Sequence, residues 1–540
     1  MEPSAVEVAP PDDSGGLARS ASLIALGNIA SRGLGFLREV VKARLFGTGP
    51  AVDALNLAIT IPLQIYDLVT GGLINSALVP AFSAYAAEER RHELWRLASV
   101  LLTLAALLLS AIVLALVLFA PQVVGVFVWI DALTKGQALT GGQAQPEAAA
   151  LAARLLRVTL PAVACLSLSG ILTALLYSLK RFRLPAFTAA VFNLSMVVVS
   201  VLLAAQFGVT AMALGLLLGA ALQVLLQLPD LGDGLARLRP ALDFAHPGLR
   251  RIFRAYVPIL GSLVIAQASV WFGLSVAFGF PNGLSWMGYA TNLYQFPLGL
   301  VGVAVSSAIL PTLAAQAAGH LTGEYKATLV RGLSLVLGLM VPATVGMFIL
   351  AEPLAALAFE GGRFTAQDTV MTAQVLRWFL FGLSFAAVDL LLINAFYAQH
   401  DTWTPSLVGV LSVAVYVAAV LVMRAPLGLL SLMLADSLKQ ITHAVVTGAL
   451  LARRIGGFGR TGLWPMLGKI VLAAALMGAG VAGALSLTRL LPLPAGAAAS
   501  VAQLLLPGGI GLGVYFFIAA RLRITAVMLA IEMIRKKLRL

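Results

Sequence analysis

Fourteen stretches of this chain are long enough and apolar enough to cross a lipid bilayer as helices. They fall at about 18–46, 51–86, 94–120, 148–178, 184–206, 209–228, 250–279, 284–317, 325–351, 367–398, 404–423, 427–451, 466–488 and 499–521. A bilayer core of about 30 Å takes about 20 apolar residues in helical form. Only 11% of the 540 residues are charged, whereas soluble domains carry about 25%. No polar block is long enough to build a large soluble domain. The expected fold is all-α and polytopic. The first, second, eighth and tenth stretches exceed the length of a straight crossing. Helices of that kind tilt, bend or line a cavity, and Gly33 and Gly35 are expected to interrupt the first.

The formal net charge is +13. In a soluble protein that would point to nucleic acid. Here the cations sit in alternate loops, so no nucleic-acid partner is expected and membrane lipids are the natural counterpart. With the N-terminus inside, the inner loops hold Arg90, Arg91, Arg96, Lys180, Arg181, Arg183, Arg237, Arg239, Arg250, Arg251, Arg254, Lys326, Arg331, Arg453, Arg454 and Arg460. The outer loops hold little beyond Lys135, Arg363, Arg424 and Arg489. The bias places both termini in the cytoplasm and implies an even number of spans. The inner loop Gln399–Thr404 has no cation and does not contribute. The lone Cys165 excludes an intrachain disulfide.

The chain also repeats itself. ALVPAFSAYAA (77–87) resembles AILPTLAAQAA (308–318), with Pro80 matching Pro311. Tyr177 and Pro185 are spaced like Tyr397 and Pro405. Spans 1–6 and 7–12 therefore read as two copies of a six-helix unit in the same orientation. Parallel repeats of this kind are a transporter architecture. The extra length of the first copy is assigned to the Gly/Gln-rich loop at 131–147. The expected organisation is a disordered tail (1–16), a first lobe (17–228), a cytoplasmic linker (229–249), a second lobe (250–452), two further helices (453–522) and a basic tail (523–540). Ile524, Val527, Met528, Ile531 and Ile534 share one stripe of that tail, which suits a surface helix. A frayed basic tail is the alternative.

SRGLGFLREVVKARLFGTG (31–49) is the exception inside an apolar span. Each charge at the centre of a span costs roughly 2.5–3.5 kcal/mol. Lys42 and Arg44 lie near the outer end and can snorkel. Arg32 and Arg38 lie deeper and do not share a stripe on a regular helix. One reading makes them the cationic wall of a cavity for an anionic substrate, since a planar guanidinium suits phosphate. The other is structural: Arg32 paired with Glu39, or Arg38 with Asp53. Asp67, Asp389, Asp436 and Lys439 are also intramembrane charges. Asp436 and Lys439 suit a pair within one helix. Asp389 near Asn394 is a candidate site for a coupling cation, or a cavity carboxylate with no special role. No HExxH or GxxxxGK[ST] pattern occurs, so neither a metalloprotease nor direct ATP hydrolysis is expected. An enzyme is not expected, nor a bound cofactor or metal. Energy would come from a Na+ or H+ gradient, the membrane potential or the substrate gradient.

SLIALGNIASRGLGFLREVVKARLFGTGPAVDALNLA (22–58) resembles the start of MurJ (MviN) family proteins. ALVPAFSAYAAE (77–88), FPLGLVGVAVSSAILPTL (296–313), EPLAALAFEGGRFTAQDT (352–369) and NAFYAQHDTWTP (394–405) are similar to the family in the same order. The resemblance implies the MOP superfamily fold, with two six-helix lobes around a cavity. Two C-terminal helices would border a groove for a polyprenyl tail. It implies a flippase that moves lipid II, the undecaprenyl-pyrophosphate-linked peptidoglycan precursor, by alternating access. That activity belongs to cell-wall biogenesis and cell shape at the bacterial inner membrane, with cell-wall synthesis proteins as candidate partners. Arg32, Arg38 and Asp53 match family cavity positions. Typical members carry Arg and Glu where this chain has Tyr66 and Gly71. They carry further charges where it has Thr291, Asn292 and Gln295. Asn292 and Gln295 are then candidate substrate contacts in place of charges, beside Glu39 and Lys42 as cavity or ion-pair groups. The departures leave open another polyprenyl-linked saccharide, of exopolysaccharide or teichoic type.

Overall fold

The structure is a computed structural model that describes residues 14–71, 73–135, 145–459, 461–490 and 496–524. Nineteen α-helices run through them. The first nine are α1 (Ser14–Phe46), α2 (Pro50–Tyr66), α3 (Val79–Ser83), α4 (Arg91–Leu118), α5 (Ala120–Thr134), α6 (Pro146–Thr159), α7 (Pro161–Ser178), α8 (Thr188–Phe207) and α9 (Thr210–Leu231). The next six are α10 (Pro247–Phe278), α11 (Gly283–Pro297), α12 (Ala304–Ala318), α13 (Thr322–Ile349), α14 (Ala351–Phe359) and α15 (Ala366–Ala398). The last four are α16 (Trp403–Leu427), α17 (Leu430–Arg454), α18 (Leu463–Leu490) and α19 (Ala497–Arg521). Helices satisfy their own backbone groups, which lipid cannot do. Among the described residues, eleven helical stretches are long and apolar enough to cross a membrane. With α1, α10 and α17, which match three more of the apolar stretches, they form an all-α, multi-pass membrane protein. The loop at 136–144 and the tail from 525 lie outside the described residues, so the excess-length and surface-helix expectations there have no structural counterpart. The expected disordered tail (1–16) overlaps the helix, which already begins at Ser14.

Contacts divide the chain into two compact units. One holds Met1–Val41, Ala58–Val123 and Ala152–Leu263; the other holds Lys42–Leu57, Val124–Leu151 and Val264–Leu540. In the first unit α7 packs on α4 and α9, and α8 packs on α9. Phe82, Leu94, Leu97, Leu175 and Leu176 are fully buried at its centre. Glycines set the α8–α9 distance: a Cβ on Gly219 would stand 2.9 Å from the Phe192 carbonyl oxygen. Small residues allow this approach, which replaces the hydrophobic drive that lipid removes.

In the second unit α15 is the hub, packed against α11, α12, α13, α14 and α17. α18 and α19 pack on each other and on α13 and α14. Ile470, Met477, Val481 and Tyr515 form their shared core. Thr365 and Asp368 make a reciprocal capping box at the start of α15.

The sequence repeat has a backbone counterpart. π-helical turns begin at Asp67 and at Leu298, each thirteen residues before its matched proline, Pro80 or Pro311. α7 and α15 both end one residue after the matched tyrosine, Tyr177 or Tyr397. Three residues after that tyrosine, Lys180 and His400 both take φ of 59°. Gly208 and Gly428 end α8 and α16 with φ of 55° each. The side chains at these turns differ, but the chain reversals are the same.

The loop between α15 and α16 recruits a cation from elsewhere. Asp401 accepts from the Thr404 N–H at 2.9 Å and the Thr404 hydroxyl at 2.6 Å, and pairs with Arg454 at 2.6 Å. Burial alone would raise the Asp401 carboxyl, but the two Thr404 bonds and Arg454 hold it at about 2. A carboxyl below its ordinary 3.8 adds stability that is complete above that value and lost as pH falls toward 2. Hydrogen exchange at residues 399–405, corrected for intrinsic rates, should therefore speed up between about pH 4 and about pH 2. The change should be smaller in Arg454→Ala, whose loop already lacks one tie.

Candidate functional site

α1 runs unbroken from Ser14 to Phe46, so Gly33 and Gly35 do not interrupt it. A helical glycine costs only about 1 kcal/mol and permits a bend without imposing one. Arg32 and Arg38 therefore keep the separation of a regular helix. Arg32 is exposed and forms no ion pair among the described residues. Arg38 is held on three sides. Its Nε and Nη2 donate to Glu39 Oε1 at 3.1 and 2.8 Å, and its Nη1 donates to Asn193 Oδ1 at 2.9 Å. Asn193 is fixed by donating to the carbonyls of Ala189 and Ser31 at 3.0 and 3.3 Å. The pairings expected from sequence, Arg32 with Glu39 and Arg38 with Asp53, are thus corrected. The adjacent Glu39 is closer to Arg38 than spacing along the helix suggested. Asn193, an uncharged amide in the apolar α8, gave no stronger signal.

Asp53 belongs to the second unit. It is fully buried at the start of α2, and its Oδ1 accepts from the Ser285 N–H at 2.8 Å and the Ser285 hydroxyl at 2.6 Å. Lys42 does not snorkel. It is 5% exposed, its ammonium donates to Asn56 Oδ1 at 2.9 Å, and it lies 5.0 Å from the Tyr289 ring centroid. Arg44 is exposed. Around these residues the α1–α2 turn closes on the segment before α15. The Arg363 N–H donates to the Arg44 carbonyl at 2.9 Å. The Tyr289 hydroxyl donates to the Gly47 carbonyl at 2.8 Å. Asp368 accepts from the Thr48 hydroxyl at 2.6 Å and from the Trp286 indole at 3.1 Å. Residues from two of the quoted stretches, 22–58 and 352–369, meet in this seam. Two glycines make it possible. Gly47 has φ of 70°, and a Cβ there would stand 2.5 Å from the Arg363 carbonyl oxygen. Gly362 has φ of 60°, and a Cβ there would stand 2.2 Å from the Arg44 carbonyl oxygen.

The remaining candidates separate. Asn292 is half-buried and donates to the Gly288 carbonyl of its own helix at 2.9 Å, while Gln295 is exposed. Asp389 is buried, and its partner is His443 of α17 at 2.6 Å rather than Asn394. Asn394 faces another side of α15, because five residues turn a helix well past one full revolution. His443 could have been noticed as a lone histidine in an apolar span. Asp436 and Lys439 pair within α17. Among the described residues no group of three or more His, Cys, Asp or Glu could hold a metal ion.

The second unit also contains a cavity of about 1120 Å³ between α13, α15, α17 and α18. Leu337, Val341, Phe381, Leu392, Val445 and Leu467 are among its walls, with Ala475, Ala479 and Ala482 on the α18 side. The only hydroxyls on it among the described residues, Thr344 and Ser384, are 2.9 Å apart, and Thr344 donates to the Met340 carbonyl at 2.7 Å.

The family model described as lipid II flippase MurJ matches residues 42–493. The chain belongs to the MurJ family. A "Probable lipid II flippase MurJ" of Rhizobium meliloti is 30% identical over 91% of this chain and 91% of its own length. A "Lipid II flippase MurJ" of Burkholderia cenocepacia is 30% identical over 70% of this chain and 72% of its own. A solved structure titled "Lipid II flippase MurJ, inward closed conformation" superimposes with a TM-score of 0.74 at 21% identity. It covers 92% of this chain and 98% of that one. That likeness confirms the fold.

The seam glycines give a direct test. Gly47→Ala and Gly362→Ala should each destabilise the folded chain by more than about 1 kcal/mol, since each adds a Cβ at positive φ against a carbonyl. Thermal unfolding of the purified variants in detergent measures this, with Gly33→Ala, which has open space around it, as the control that should lose no stability.

Proposed function

We propose that this chain moves lipid II, a polyprenyl-pyrophosphate-linked saccharide, across the bacterial cytoplasmic membrane by alternating access, as transport without catalysis. The observation that carries this reading is the apolar cavity bordered by α18, the first of the two helices beyond the repeat. Lipid tails are as apolar as leucine, so such a cavity gains no hydrophobic drive over the bilayer. It selects by shape and packing, and a long branched prenyl chain offers more matched surface than a mobile acyl chain.

The pyrophosphate then falls to the arginines of α1. Of Arg32 and Arg38, Arg32 is the exposed one and makes the first contact. Arg38 is already oriented by Asn193, with Glu39 as a stand-in for the anion. A pyrophosphate competes for the same N–H groups with more charge. The basic inner loops favour both termini in the cytoplasm. Tyr66, Gly71, Asn292 and Gln295, uncharged where relatives carry charge, favour a second reading in which the head group is another polyprenyl-linked saccharide.

Expression in a strain depleted of its resident flippase should restore growth; no rescue despite good membrane levels defeats the lipid II reading. Accumulation of a different lipid-linked intermediate on deletion, with peptidoglycan synthesis normal, would establish the second. In reconstituted vesicles, Arg32→Ala/Arg38→Ala should lower flipping by at least about tenfold, through loss of charge-assisted bonds of about 1.5–3 kcal/mol each. Ala479→Trp, which projects an indole into the cavity, should slow flipping while leaving the thermal stability close to that of the parent. Unchanged flipping in Ala479→Trp would remove the cavity from the pathway.

A further inference from the structure

Asp389 and His443 form a buried dyad that the seam, the arginines and the apolar cavity do not use. Asp389 lies in the C-terminal third of α15 and His443 on α17, with side chains 10% and 12% exposed. His443 Nδ1 is 2.6 Å from Asp389 Oδ1, and its Nε2 is 3.2 Å from the Pro405 carbonyl oxygen of α16. The Thr447 hydroxyl lies 3.3 Å from Nδ1. One imidazole thus ties three helices together.

The chemistry of the two ring nitrogens restricts what this arrangement holds. A carbonyl oxygen only accepts, so the bond to Pro405 requires a proton on Nε2. The 2.6 Å bond to Asp389 requires a second proton, shared between Nδ1 and Oδ1. The pair is then imidazolium beside carboxylate, or imidazole beside carboxylic acid, and is neutral as a whole either way. If the shared proton leaves, the pair carries one negative charge inside the span, and the ring keeps only one N–H. Retained on Nε2, it leaves two lone pairs facing each other between α15 and α17. Shifted to Nδ1, it breaks the bond to α16. Proton occupancy is therefore linked to how three helices are joined.

Few neighbours can substitute for that proton. On α17, one turn before His443, Lys439 is paired with Asp436 and lies over the Tyr416 ring of α16. Tyr397 lies two turns beyond Asp389 on α15. Tyr325 of α13 spends its hydroxyl on the Ala395 carbonyl at 2.6 Å. Tyr294 of α11 is buried against Phe379 of α15. On α14, Glu352 is engaged by Arg489. α12 has no titratable side chain. A metal cation would need several oxygen ligands around Asp389, and the imidazole occupies that place.

We propose that Asp389 and His443 form a proton-binding site whose loading and unloading is coupled to substrate movement. One proton enters from one side of the membrane, sits between Nδ1 and Oδ1, and leaves on the other side, carrying one positive charge across per cycle. This rests on the transport reading above. The test uses the purified full chain in vesicles with pyranine inside and the membrane potential clamped. Its probe is a fluorescently labelled undecaprenyl-pyrophosphate disaccharide-peptide. A gradient of about one pH unit, a ratio of about ten in proton activity across the membrane, should change the flipping rate several-fold and move protons with the probe. Asp389→Asn and His443→Gln should each lose that response. A native rate indifferent to the pH gradient, a response to sodium instead, or a response retained in His443→Gln overturns the proposal. If the native chain moves no probe under any gradient, the transport reading itself fails. The dyad is then judged by infrared titration of the chain in lipid. Carboxyl and imidazole bands that titrate together, and are both lost in Asp389→Asn, uphold the proton site; independent titration overturns it.

Discussion

An ion inside a bilayer must find its counter-charge or its hydrogen bonds within the protein, and the rest of this structure is organised around that requirement. Arg38 is met by Glu39 and Asn193, Asp53 by Ser285, Lys42 by Asn56, and Asp389 by His443. Asp131 is held by Lys135 and by Arg424, whose guanidinium also lies over Phe280. Several of these matches join different helices, so the groups most costly to place in lipid also set how the helices are arranged. Arg32 departs from the pattern. It is exposed on the face of α1 and forms no ion pair among the described residues.

The two sequence halves use one backbone for different chemistry. The left-handed residues at Lys180 and His400, and the glycine helix ends at Gly208 and Gly428, reverse the chain at matched positions. The polar chemistry on that frame differs between the halves. The first places an Asn–Arg–Glu cluster between α1 and α8; the second places an Asp–His dyad between α15 and α17. Repeated turns keep the helices in register, while the side chains between them are free to specialise. α18 adds something the repeat lacks: a wall, with Ala475, Ala479 and Ala482 on it, that borders an apolar cavity.

Much of the fold was legible because its signals are local. Apolar runs of about 20 residues define spans without knowledge of their neighbours, and the matched prolines and tyrosines marked the repeat. The candidate site was less legible. Arg32, Arg38 and Asp53 stood out as charges in apolar stretches, but their partners did not. Ser285 lies 232 residues from Asp53, and Asn193 lies 155 from Arg38. Asn394, chosen for its nearness to Asp389 in sequence, is not its partner. His443, 54 residues away, is.

By itself the sequence determined an all-helical membrane chain, its repeat, and the intramembrane charges that needed partners. Hydropathy, helix period and turn residues act over a few residues and are written directly in the order of the chain. The tertiary structure alone decided which group answers each charge, that Lys42 is buried rather than snorkelling, and that Gly47 and Gly362 are where two distant motifs touch. Those outcomes depend on contacts a few ångströms long between residues tens to hundreds of positions apart, a distance that composition and spacing do not encode.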